Sequence, residues 1–133
     1  MTANLERPGR PFATMHEAVR HWAALTPDAP ALFADGRAPL SYGGLLRTVD
    51  AIGARLAALG IARNDRVAVL HPGGADMAAA ILGIVSHATA APLSPSYTVG
   101  EFAVYLRDLR VKALAVAAGM DSPARAAAER LRL

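Results

Sequence analysis

The sequence of 133 residues contains no cysteine at all and a single lysine, Lys112. Without cysteine there can be neither a disulfide framework nor a thiolate metal site, which fits a reducing compartment and leads us to expect a cytoplasmic protein. Aromatic residues are also scarce, at 5%, and the charged share is only 19% against 53% hydrophobic. That balance excludes compositional disorder and allows one packed core. Long apolar runs are missing too: the longest, 78–85, falls far short of the roughly 20 residues that cross a bilayer, so no membrane span is expected. A secretory leader is not visible, because the first fifteen residues carry Glu6, Arg7, Pro8, Gly9, Arg10 and Pro11 in place of an apolar stretch. A clustered basic face is lacking as well. The net charge is +3, but the arginines stand singly between Arg7 and Arg132 with acids interspersed, which argues against nucleic acid as a partner.

What is present is an alternation of helix and strand signals. Residues 1–13, with their prolines and glycines, read as an N-terminal arm, and 14–133 as an α/β unit. Thr14 followed by Glu17 forms a capping box that starts a helix reaching Leu25, burying Met15, Val19, Trp22 and Ala23. The runs 31–33 and 39–40 flank Asp35-Gly36, a dipeptide suited to a tight hairpin. Ser41 caps the longest helix, in which Leu45, Val49, Ile52, Leu56 and Leu59 make one apolar stripe and Gly60 ends the element. Strands are expected at 66–70, 90–93 and 111–117, with helices beginning near Gly74, after the Thr98/Glu101 capping box, and at Pro123. Strand and helix at this pitch predict a partial parallel sheet with right-handed crossovers and helices on both faces, plus a small β-hairpin.

Three places invite a chemical reading. His71-Pro72-Gly73-Gly74 is a strand-to-helix turn whose N–H groups could hold a phosphate, but it lacks the complete glycine fingerprint and the Lys-Ser/Thr pair of a phosphate loop, so a tight turn is the preferred reading. His16, His21, His71 and His87 could suggest a metal, yet the only near-neighbours, His16 and His21, are five residues apart and point about 140 degrees away from each other on a helix. No metal site is expected. Ser94 and Ser96 sit in no Gly-x-Ser-x-Gly elbow and no histidine-acid order accompanies them, so they read as polar loop residues.

The stretch 40–108 carries a family resemblance. Leu40-Ser41-Tyr42 with Leu45, the strand opening Asp65-Arg66-Val67-Ala68, the run Ala88-Thr89-Ala90-Ala91-Pro92-Leu93-Ser94-Pro95, then Tyr97-Thr98, Glu101-Phe102 and Tyr105-Leu106 resemble, in order and spacing, the N-terminal part of the adenylate-forming acyl-CoA synthetases. The wording is similar to oxalate-CoA ligase and fatty-acyl-CoA ligase relatives. Gly43-Gly44, Asn64 and His87-Ala88 depart from the motifs. The resemblance implies a parent enzyme that uses ATP, Mg²⁺ and coenzyme A to convert a carboxylate to an acyl-adenylate and then a thioester. It also implies an amino-acid-activating adenylation domain as a second reading, while a non-catalytic α/β interaction module is the alternative from another class. The phosphate-binding loop, the Thr-Glu segment and the late lysine of such enzymes do not occur here, and Lys112 reads as a solvated strand residue. We therefore expect an N-terminal piece of an enzyme with no catalytic, cofactor-binding or metal residues of its own, inactive alone. Its expected partners are the remainder of the synthetase and further copies of itself, through an open sheet edge or helix face.

Overall fold

The computed structural model describes residues 12–133; most of the arm expected over 1–13 lies outside them. The elements follow in the order α1 (Met15–Leu25), β1 (Pro30–Leu32), β2 (Leu40–Ser41), α2 (Tyr42–Ala58), β3 (Arg66–Leu70), α3 (Gly74–His87), β4 (Thr89–Pro92), α4 (Val99–Asp108), β5 (Val111–Val116) and α5 (Pro123–Leu131). β3, β4 and β5 form a parallel sheet in the order β4-β3-β5, so the chain crosses back over β3 between its second and third strands.

The side chains of β3 explain why both faces are covered. Alternation along a strand sends Val67 and Val69 one way and Ala68 and Leu70 the other. The valines pack with Leu56, Ile61, Ile84 and Ala88 beneath α2 and α3, whereas Ala68 and Leu70 pack with Phe102 and Leu106 of α4 and Ala124, Ala127 and Ala128 of α5. A third cluster, Val19, Leu45, Val49 and Ala79, holds α1 against α2 and α3.

Local chemistry sets the helix ends. Ser41 accepts the N–H of Gly44 at 3.1 Å, Ser122 accepts that of Ala124 at 3.2 Å, and Gly60, at a φ of 69°, supplies the left-handed residue after α2. At α1 the capping is shifted by one residue from expectation. Thr14 accepts the N–H of Glu17 at 3.1 Å, but the Glu17 carboxylate accepts from Ala13 at 2.8 Å, not from Thr14.

Other expectations are corrected. Met15 is 47% exposed and Leu59 59% exposed, because each stands at the outer end of its helix, past the elements that cover the rest of the stripe. The pair β1-β2 is antiparallel but is not closed by a two-residue turn. Asp35-Gly36 instead sits in a turn where Arg37 donates to the Ala34 carbonyl at 3.4 Å, with only Gly36 of the two at positive φ. Of the primed hairpin turns, type I′ needs both residues there and type II′ the first, so neither forms and the strands pair further out.

Candidate functional site

Open parallel sheets gather ligands at the carboxyl ends of their strands, where neighbouring connections diverge to opposite faces. Here β3 leads to α3 on one face and β4 leads to α4 on the other. At the end of β3, Gly73 and Gly74 take φ values of 117° and 79°, which only glycine adopts without strain. The His71 ring folds over the turn and its Nδ1 accepts the Gly73 N–H at 3.2 Å. The positive end of α3 is also served already, by Asp76 in its first turn, paired with Arg37 at 2.9 Å. The turn is thus occupied by its own side chains.

At the end of β4 the serine hydroxyls meet each other at 2.8 Å, and Ser96 donates its N–H to Ser94 Oγ at 3.3 Å. Neither is hydrogen-bonded to a histidine or carboxylate among the described residues. Glu101 accepts the backbone N–H of Thr98 at 2.8 Å and its hydroxyl at 2.9 Å, while Glu101 donates its own N–H to Thr98 Oγ1 at 3.3 Å. Those bonds, the backbone one first, hold the Glu101 carboxyl below its ordinary value. Tyr97 stacks on Tyr105 at 4.8 Å, and that neighbouring phenol raises its pKa. At the opposite end of the sheet Lys112 pairs with Asp65 at 2.9 Å, and the Asp65 carboxylate also accepts the Ala62 N–H at 2.8 Å. The backbone donor first and Lys112 second lower the pKa of Asp65. The single lysine is engaged in holding the loop before β3.

A cluster that sequence spacing did not foresee lies where α1, α2 and α3 meet. His16 Nε2 lies 2.8 Å from Asp50 Oδ1, and the His16 and His87 rings are 5.0 Å apart at 54°. Each of the three residues offers one ligand atom, and these atoms lie within 4.8 Å of one another. The expectation of no close histidine pairing is corrected: it compared His16 with His21 on one helix, whereas the pairing joins separate helices. His21 packs instead against Phe12 and Trp22, with ring centroids at 5.0 and 5.2 Å. No short-range pattern signals the cluster, since His16 and Asp50 are 34 residues apart.

Comparison with known proteins places the fold. The profile of the AMP-binding enzyme family matches residues 19–132. The chain belongs to that family. It is 33% identical over 109 residues to the oxalate–CoA ligase of Arabidopsis thaliana, covering 80% of this chain and 21% of the relative. Among solved structures it is similar to a fatty acyl CoA synthetase of Mycobacterium tuberculosis, with a TM-score of 0.72 and 23% identity, over 90% of this chain and 23% of that one. It is also similar to a nonribosomal peptide synthetase, FmoA3, with a TM-score of 0.75 and 26% identity, over 87% of this chain and 13% of that one. The chain thus spans about a fifth of the length of the curated relative, and the fold is that of the N-terminal domains of adenylate-forming enzymes.

Proposed function

We propose that this chain is the opening part of the large domain of an ATP-dependent acid–CoA ligase. In the reaction a substrate carboxylate attacks the α-phosphorus of ATP, pyrophosphate leaves, and the thiolate of coenzyme A then attacks the acyl-adenylate carbonyl and expels AMP. The identity to the oxalate–CoA ligase across four fifths of the chain carries this reading. Within such an enzyme the residues here act as scaffold. The sole lysine is paired with Asp65, and the glycine turn after β3 is closed by His71. ATP, Mg²⁺ and coenzyme A belong to the longer protein, and this chain alone is inert. The longer protein should be cytoplasmic, without nucleic acid as a partner.

The test is ATP–pyrophosphate exchange by two proteins made in parallel: this chain, and the product of the reading frame continued past Leu133. The longer protein should exchange with oxalate, acetate or a fatty acid and release AMP when coenzyme A is added. Exchange by the 133-residue chain above a mock purification would overturn the division between scaffold and chemistry. A second reading, an amino-acid-activating adenylation domain, rests on the likeness to the nonribosomal peptide synthetase. Exchange with amino acids and none with simple acids would favour it.

The open side of the sheet supports the partner reading. A groove of about 300 Å³ between α2 and the sheet, bordered by Leu56, Leu59, Ala113 and Ala115, is where the rest of the synthetase or a second copy would rest. The 133-residue chain on its own should self-associate, and a strictly monomeric species by light scattering from micromolar to millimolar concentration would refute that.

A further inference from the structure

We propose that His16, Asp50 and His87 form a binding site for a divalent first-row transition ion, zinc foremost, that clips α1 to α2 and α3. Three separate observations converge on it. His16 and Asp50 already face each other at 2.8 Å from different helices, presenting an imidazole nitrogen and a carboxylate oxygen to one space. His87 lies beside them, and its Nε2 is buried with no hydrogen-bond partner among the described residues. Gly53, one turn beyond Asp50, is the cradle that admits the His87 ring: a Cβ built there would lie 2.5 Å from the ring's Cε1. A ring nitrogen without a partner is costly in a packed interior, and coordination is one way to satisfy it.

The donor set selects the ion. Two imidazoles and one carboxylate suit Zn²⁺, Ni²⁺, Cu²⁺ or Fe²⁺ and not Mg²⁺ or Ca²⁺, which prefer oxygen throughout. With bonds of about 2.0–2.1 Å, ligand atoms around a tetrahedral zinc stand roughly 3.3 Å apart. The three atoms here lie within 4.8 Å of one another, so the site closes by rotation of side chains rather than by movement of helices. His16 and Asp50 can supply that rotation, with side chains 28% and 55% exposed, while His87 is held by its glycine cradle. Water completes the coordination shell on the exposed side. Binding takes the neutral imidazoles, His16 in the tautomer that carries its proton on Nδ1 and leaves Nε2 to the ion.

The experiment uses the chelator-treated 133-residue chain, with ZnCl₂ as the probe in calorimetry and thermal unfolding and CoCl₂ as a visible-absorption probe of geometry. One Zn²⁺ per chain should bind and raise the unfolding temperature, Co²⁺ should show ligand-field bands, and MgCl₂ should neither bind nor compete. His16→Gln and Asp50→Asn should each weaken zinc affinity about ten-fold or more, the scale on which even outer supports of a metal site act. Both residues face solvent in part, so the variants should stay folded by circular dichroism. His87→Gln should abolish the zinc-dependent shift, and should it unfold, the other two variants still decide the matter. A double His21→Gln, His71→Gln variant should bind zinc as the parent does. Failure to bind one zinc saturably up to millimolar concentration, retention of affinity in both Asp50→Asn and His16→Gln, or loss of binding in the His21/His71 variant would overturn the proposal.

Discussion

On one face of the sheet Ala68 and Leu70 lie under α4 and α5, with Phe102, Ala124 and Ala127 at 0% exposure, so that strand, helix and helix interlock. On the other face Val67 and Val69 are as well buried, but the neighbouring strand offers only Ala113 and Ala115, and the groove beside them stays open. The same sheet therefore has a finished layer and an unfinished one. The finished layer is built from two helices that follow their strands directly. In the other layer α2 and α3 come close at glycines: a Cβ on Gly83 would lie 3.0 Å from Ile52 Cβ, and the two helices bury β3 while leaving Ala113 and Ala115 of β5 only partly covered. Burial of the central strand does not require that its neighbour be fully covered.

The largest effect should come from emptying the finished layer. Phe102→Ala removes a ring at 0% exposure and should cost about 3–5 kcal/mol in chemical denaturation. A loss below about 1 kcal/mol would mean that the layer is loosely packed. Next comes the glycine contact. Gly83→Ala should cost about 1–3 kcal/mol by forcing Ile52 aside, and adding Ile52→Ala should return part of the loss, a coupling that a double-mutant cycle measures.

A matched pair of enlargements sharpens the contrast between the faces. Ala127→Leu, at a fully buried position under the finished layer, should cost about 1–3 kcal/mol, while Ala115→Leu, pointing into the groove, should leave stability within about 0.5 kcal/mol. Equal costs would erase the distinction. The smallest effect is at the cap of α4, where Thr98→Ala should cost about 1 kcal/mol. Glu101 has a folded pKa below its ordinary 4.5, so the stability it adds is present above that value and is lost as pH falls through the lower folded one. The gap between parent and Thr98→Ala should therefore narrow in acid, as urea denaturation at a series of pH values would show.

Much of this architecture could be read from residue order alone. The expected strand 66–70, the helix starting at Gly74 and the Thr98/Glu101 box coincide with β3, α3 and the start of α4, because period, caps and glycines are local properties. The motifs around Tyr42, Pro92 and Tyr97 likewise pointed to the family that the profile match establishes. What escaped was set by distance along the chain. The exposure of Met15 and Leu59 depends on where covering elements stop, and the His16–Asp50–His87 cluster depends on how three helices dock, neither of which is written in a periodic stripe. The hairpin turn was misjudged for a subtler reason: Asp35-Gly36 is compatible with several turn types, and the strand pairing decides among them.

The position of β3 between two later strands has a bearing on synthesis. As the chain emerges from its amino end, β3 finds its first partner once β4 has appeared, and α2 and α3 can already shield Val67 and Val69. Ala68 and Leu70, however, must wait for α4, β5 and α5, so for some forty residues of translation the growing sheet carries a bare apolar side and an unmatched edge. That interval is the moment at which a nascent chain is most open to chaperone capture or to pairing with its neighbour on the same message.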